Sequence, residues 1–353
     1  MSEVQEHVAL ASSSSNARIE IPSRACPKSL KPPVFIVGSP RSGTTLLYHM
    51  LLSSGGFAVY LTESKLFDLV FPQFASLTAK KNRRKVLNLW LGSKLFVLSG
   101  LKRDQIENKI LEECRNGGDF LRIIMDEIAR NQNAARWAEN TPEHVLHLSR
   151  IKKEIPNALI IHIIRDGRDV ALSLEKQGWV QPFPWDQGRR LQVAGLYWEW
   201  LVDKGIAHGK TFGRKYMEVH YEKLVGYPQE TLDEIGRFID QDLDYQRIQL
   251  NAIGSVSKPN TSFESSANSG GFEPVQRWRK SFPAGQLAAL EKLIGPSLKK
   301  LGYDLTTSDP SSDRQVSWKG MRASYRRYWD FKLWLKTKTP LGRVFVKAGP
   351  ADL

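Results

Sequence analysis

Residues Gly38-Ser39-Pro40-Arg41-Ser42-Gly43-Thr44-Thr45 follow the apolar run Pro33-Val34-Phe35-Ile36-Val37 and lead into Leu46-Leu47-Tyr48-His49-Met50-Leu51. A short apolar run, a glycine-flanked turn and an apolar periodic stretch predict strand, loop and helix. In that setting backbone N–H groups and a helix N-terminus gather an anion. A nucleotide triphosphatase would carry Gly-x-x-x-x-Gly-Lys-Ser/Thr here, with the Lys reaching the outer phosphates and the hydroxyl holding magnesium. In this chain Thr44 stands at the Lys position and Arg41 lies inside the loop. The loop is expected to hold one phosphate that carries something other than a phosphoryl chain, without magnesium.

A second strand end points to the rest of the ligand. Ala158 to Ile164 is a buried-strand run that stops at Arg165-Asp166-Gly167-Arg168-Asp169 and continues as the helical Val170 to Leu174. Arg165 at the strand end and Ser173 two turns into the helix would form a second anion site beside the first, at the carboxyl ends of parallel strands. Two phosphate sites imply a nucleotide phosphorylated at two positions. A helix over 141–153, a helix from 168, a strand over 216–221, a helix from 228 and a last helix over 286–300 complete the alternation of a parallel sheet covered on both faces. The expected fold is α/β: a P-loop-like three-layer α/β/α domain with a central parallel sheet, over residues 32–305. A helical insertion is expected over about 65–135, with the basic run Lys80 to Lys85 and apolar Phe120, Ile123, Ile124 and Ile128. Residues 1–31 read as a serine-rich flexible tail and 306–353 as a basic aromatic helical tail.

Four segments, in order, resemble the sulfotransferases that use 3'-phosphoadenosine 5'-phosphosulfate. Pro40 to Leu46 resembles their loop for the 5'-phosphosulfate, which assigns Arg41, Ser42, Gly43, Thr44 and Thr45 to the cofactor. Arg165 with Ser173 resembles their pair for the 3'-phosphate. Tyr221-Glu222-Lys223-Leu224 resembles the segment whose tyrosine lies near the adenine, and Arg277-Trp278-Arg279-Lys280 the late segment that closes over the cofactor. The resemblance implies transfer of a sulfuryl group to an acceptor hydroxyl, on a glycan, a lipid-linked saccharide, a peptide tyrosine or a small alcohol, without a metal. The pattern is closest to the tyrosylprotein sulfotransferases.

The chemistry needs a cation at the sulfuryl group and a base at the acceptor. Arg41 is the expected cation, its fork suited to an oxyanion. Glu63, in Tyr60-Leu61-Thr62-Glu63-Ser64-Lys65, is the expected base, at the end of what reads as the next strand. It corresponds to the glutamate base of the tyrosylprotein enzymes, and Lys65 falls where they carry an arginine. Its structural alternative is a carboxylate paired with Lys65. Among the histidines, His144 is the second candidate base, ahead of His49, His147 and mid-strand His162. Asn140 departs from the resemblance, because those enzymes place a lysine before the Thr-Pro that opens the 141 helix. It could donate to a sulfuryl oxygen without charge, or with Thr141 cap the helix that Pro142 starts.

Composition sets the boundaries. With 353 residues of which 41% are hydrophobic, the chain can bury a large core. Two cysteines, Cys26 and Cys114, indicate no disulfide framework. No N-terminal apolar stretch reads as a signal or membrane span, so a cytoplasmic location is expected. The net charge of +14 is concentrated at the end: Val316 to Lys347 holds nine Lys or Arg against one acid, Asp330. Aromatic and apolar groups recur there at three and four residue spacing. That pattern fits a basic amphipathic helix on an anionic membrane surface, and equally a helix docked on its own domain or a homodimer arm. No nucleic-acid fold accompanies the charge. The other readings are a small-molecule kinase, disfavoured by Thr44, and a catalytically weak nucleotide-binding protein at a membrane surface.

Overall fold

The computed structural model describes residues 29–74, 76–257, 274–307, 315–342 and 349–353. The predicted tail up to residue 28, with Cys26, lies outside them, as do Arg343 and Lys347. Four parallel strands form the sheet: β1 (Val34–Gly38), β2 (Ala138–Glu139), β3 (Leu159–Ile164) and β4 (Tyr216–His220), in the order β2-β1-β3-β4. β1 pairs with β3 from Val34↔Leu159 to Gly38↔Ile163, and β3 with β4 from Ile160↔Tyr216 to Ile164↔His220. β1 and β3 are apolar at nearly every position because both faces are covered. Val34, Ile36, Ile161 and Ile163 join one core and Phe35, Val37, Ile160 and Ile164 the other. Successive side chains point to opposite faces, so one strand feeds two cores.

Helix α1 (Thr44–Ser53) follows the loop after β1. The insertion then runs through a π-helical turn over Leu66–Val70, a 3-10 turn over Phe71–Gln73, and helices α2 (Lys80–Leu91), α3 (Lys94–Ser99), α4 (Arg103–Glu113) and α5 (Gly117–Asn131). Phe120, Ile124 and Ile128 bury one face of α5, and the Asn116 side chain caps its start by accepting from the Asp119 N–H at 2.9 Å. The basic run at the start of α2 is partnered by α4, through Lys80 to Glu112 at 2.5 Å and Arg84 to Glu107.

The sequence differs from the structure at two places near the sheet. The segment Tyr60–Lys65 is not a strand: among the described residues a single bridge, Phe57↔Arg136, is all that continues the sheet beyond β2. The expected helix over 141–153 divides into a 3-10 segment, Pro142–His147, and α6 (Leu148–Glu154). After β3 come α7 (Gly167–Gln177) and α8 (Arg190–Gly209); after β4 come α9 (Tyr221–Gly226), α10 (Pro228–Ile239), α11 (Tyr245–Asn251), α12 (Trp278–Ser281) and α13 (Ala284–Lys300).

The last helix, α14 (Gln315–Lys338), packs one face on this domain. Met321, Tyr325 and Trp329 are buried, and Trp329 meets Tyr197 at 5.3 Å and Trp200 at 5.7 Å on α8. Arg322 donates to Glu199 at 2.9 Å, Arg326 lies 2.8 Å from Asp203, and Lys204 lies 2.8 Å from Asp330. No helix among the described residues is long and apolar enough to cross a membrane.

Candidate functional site

β1 has β2 on one side and β3 on the other, so the carboxyl ends of β1 and β3 mark a switch in strand order, where ligands bind in open sheets. An open cleft of about 280 Å³ lies there, near the low end of the range of roughly 300 to 1,000 Å³ usual for small-molecule sites. Arg41, Gly43, Thr44 and Thr45 line it from the loop, Arg165 and Tyr221 from the ends of β3 and β4, and Pro274 and Arg277 from the far edge.

The loop is shaped by two residues with positive φ, Arg41 at 71° and Gly43 at 98°. At Gly43 a side chain is excluded, because a Cβ would lie 2.3 Å from the Tyr221 ring. Tyr221 therefore packs against the loop, and the Arg165 guanidinium lies 4.4 Å from its ring centroid. Arg165 donates to the Arg41 carbonyl at 3.1 Å and to the Pro274 carbonyl at 2.7 Å, and its own carbonyl accepts from Trp198 Nε1 at 3.1 Å. Arg41 Nε donates to Ser173 Oγ at 2.9 Å. The two expected anion sites thus adjoin, linked through Arg41.

Three guanidiniums around one cleft repel one another. Arg41 and Arg277 are held below the ordinary guanidinium range, first by burial and then by the charge of Arg165. Among the described residues Asp169 is an acid close to them, 3.6 Å from Arg165 and accepting from the Trp278 N–H at 3.0 Å. Cations gathered this closely favour an anion in the cleft. Ser42 is buried with its hydroxyl unpartnered among the described residues, a spare donor inside the loop. Trp278 faces inward: its buried ring lies between Arg168, at 3.8 Å, and Arg279, at 4.6 Å. Of the segment 277–280, Arg277 lines the cleft.

At the carboxyl end of β2, next to β1, lies an acidic region whose residues, Glu63 and Asn140 included, are not among those lining the cleft. Buried Glu139 accepts from Ser64 N–H at 3.2 Å, Ser64 Oγ at 2.8 Å and Thr141 N–H at 3.1 Å, and meets His144 Nδ1 at 2.7 Å. Burial alone would raise its carboxyl; His144 and the hydroxyls outweigh that and hold it below the ordinary range. Thr141 Oγ1 accepts from the Lys65 N–H at 3.1 Å, and its hydroxyl also bonds Glu139, so it does not cap the Pro142–His147 turn. These bonds fix the segment that carries Glu63, half-buried, whose carboxyl is raised by burial and by Glu139, against the pull of Lys65 and His144.

Asn140 is buried beside these groups with Oδ1 unpartnered among the described residues. His144 is enclosed by Phe35 and Phe67, with ring centroids at 6.4 and 5.2 Å, and serves Glu139. His49 is bound by the Ser255 N–H at 2.9 Å, and His162 Nδ1 by Tyr216 at 2.7 Å. Burial pushes His162 down to about 3 and His147 to about 4, in the second case against the pull of Asp68.

Sequence reasoning passed over several residues. Glu143 is pushed up to about 7, first by burial and then by Asp68 and Glu63. It follows Asn140-Thr141-Pro142, so its place beside the expected site was available. Lys336 of α14 reaches Asp68 at 2.6 Å. Tyr245, Gln249 and Ser255 line the cleft from α11 and the turn after it, and no motif marks them.

A family model described as Sulfotransferase family matches residues 32–245. Protein-tyrosine sulfotransferase A of Caenorhabditis elegans is 25% identical over 287 residues, covering 79% of this chain and 69% of that protein. Protein-tyrosine sulfotransferase 2 of Gallus gallus is 24% identical over 301 residues, covering 79% and 71%. The solved sulfotransferase domain of a Synechococcus olefin synthase superposes with a TM-score of 0.50 at 19% identity, over 80% of this chain and 98% of that one. The family match spans β1 to the start of α11 and takes in the loop, Arg165, Ser173 and the acidic region, and the chain belongs to the sulfotransferase family.

Proposed function

We propose that the arginine-lined cleft holds 3'-phosphoadenosine 5'-phosphosulfate and that Glu63 deprotonates an acceptor hydroxyl beside it. The convergence of Arg41, Arg165 and Arg277 on the strand-end loop carries this reading. Arg41, Ser42, Thr44 and Thr45 would hold the 5'-phosphosulfate, Arg165 and Ser173 the 3'-phosphate, with Tyr221 beside the base. The bound nucleotide supplies the sulfuryl group; the acceptor oxygen forms the new bond to sulfur as the bond to the 5'-phosphate breaks. Glu63 takes the acceptor proton, for which a carboxyl raised toward neutrality is suited. Asn140 would donate to a sulfuryl oxygen. The relatives named for protein tyrosine make a tyrosine phenol the first acceptor to test.

Calorimetric titration with adenosine 3',5'-bisphosphate in magnesium-free buffer, beside ATP with magnesium, tests the donor site. The expected result is micromolar bisphosphate binding, weakened about a hundredfold by Arg165→Ala, the scale of losing a charge-assisted contact. Preference for magnesium ATP would turn the assignment toward a kinase.

A further inference from the structure

A helix docked by one face normally shows water a polar outer face. α14 does not. Phe331 and Trp334 are 57% and 52% exposed and stack on each other, with ring centroids 5.9 Å apart and planes at 23°. One turn back on the same side is Tyr328, which meets Phe183 edge-on at 5.1 Å. Phe183 in turn stacks on Trp185 at 4.9 Å, and Trp185 is 79% exposed. A ridge of five rings therefore runs from the 183–185 turn along the outside of the last helix.

Cations accompany the ridge. Lys332 lies 5.9 Å over the Tyr328 ring. Arg327, Lys332 and Lys338 are exposed and make no ion pair among the described residues. The one acid of the helix, Asp330, is taken up by Lys204 at 2.8 Å and Trp200 Nε1 at 2.9 Å. The ridge is also held in place: the Tyr325 hydroxyl accepts from the Phe183 N–H at 2.9 Å and bonds Asp186 at 3.1 Å.

We propose that this ridge seats the protein on an anionic lipid surface. Trp, Tyr and Phe rings gain by entering the interfacial layer of a bilayer, and Lys or Arg heads beside them meet anionic headgroups. The geometry is a line of rings with cations alongside, not a groove for a peptide. A second copy of the same face would bring like charges together. The proposal does not depend on the donor or base assignments, so it stands or falls apart from them.

Co-sedimentation of the full chain with phosphatidylcholine vesicles, with and without phosphatidylglycerol, tests it. Binding is expected to the anionic vesicles, weaker at high salt and absent from the neutral ones. Phe331→Ser with Trp334→Ser, and separately Arg327→Glu with Lys332→Glu and Lys338→Glu, should each weaken it by about tenfold or more. Both variants change exposed positions and should keep the parent's thermal unfolding and bisphosphate affinity. No binding to anionic vesicles would overturn the proposal. So would equal binding by the variants, or a dimer, seen by light scattering, that the Phe331 and Trp334 changes dissociate.

Discussion

Two charged regions at the strand ends are built in opposite ways. The cationic cleft collects Arg41, Arg165 and Arg277 at strand ends and a late segment, where burial and the charge of Arg165 lower the guanidiniums of Arg41 and Arg277. The acidic region collects Glu63, Asp68, Glu139 and Glu143 from the insertion and the 139–143 segment, and most of its charge is settled internally by His144, Lys336 and hydroxyls. Cations gathered in one cleft favour the approach of an anion. In the acidic region partners hold Glu139 and Asp68 ionised, and burial together with that charge raises the carboxyls of Glu63 and Glu143.

The strongest test of that division is Glu63→Gln. Turnover should fall by about 10²- to 10⁴-fold, the usual worth of a general base, while bisphosphate affinity stays within about twofold. In the parent enzyme kcat/KM should decline as pH drops, at a higher pH than an ordinary glutamate would give, because the Glu63 carboxyl is raised. An equal loss of affinity and turnover would merge the two regions into one.

Glu143→Gln sharpens the contrast through stability. In the fold this carboxyl lies at about 7 against an ordinary 4.5, so between those values the folded protein holds a proton that the unfolded chain has released. Its contribution is complete below the lower value and is lost as pH rises through the upper one. The variant should therefore be more stable than the parent near about pH 8, by about 3 kcal/mol, and match it only below about pH 4, as differential scanning calorimetry would read. A smaller effect is expected at Ser173. Ser173→Ala removes one hydrogen bond to Arg41, and bisphosphate affinity should drop by roughly fivefold, the scale of about 1 kcal/mol.

The same division governs what the sequence disclosed. The loop and the Arg165–Ser173 pair are contiguous motifs at strand ends, where a local pattern fixes both conformation and position. Tyr245, Gln249 and Ser255 come from a helix and turn whose spacing is ordinary, so their place in the cleft depends on tertiary packing alone. Glu63 was found by resemblance, and the strand expected around it does not form, because Ser64 and Lys65 spend their backbone N–H groups on Glu139 and Thr141 instead of on a sheet ladder. In α14, apolar spacing announced a helix but could not say which face turns inward. Tyr325 and Trp329 do, while Phe331 and Trp334 do not.

Arg41 occupies backbone territory that costs a non-glycine residue about 1 kcal/mol. The fold tolerates that cost at a position where glycine would be relaxed. Arg41→Gly should therefore unfold close to the parent's temperature, relief of the dihedral offsetting the freer unfolded chain and the lost bond to Ser173, and yet be poor at its task, so that a single dihedral angle separates what the fold needs from what the loop does.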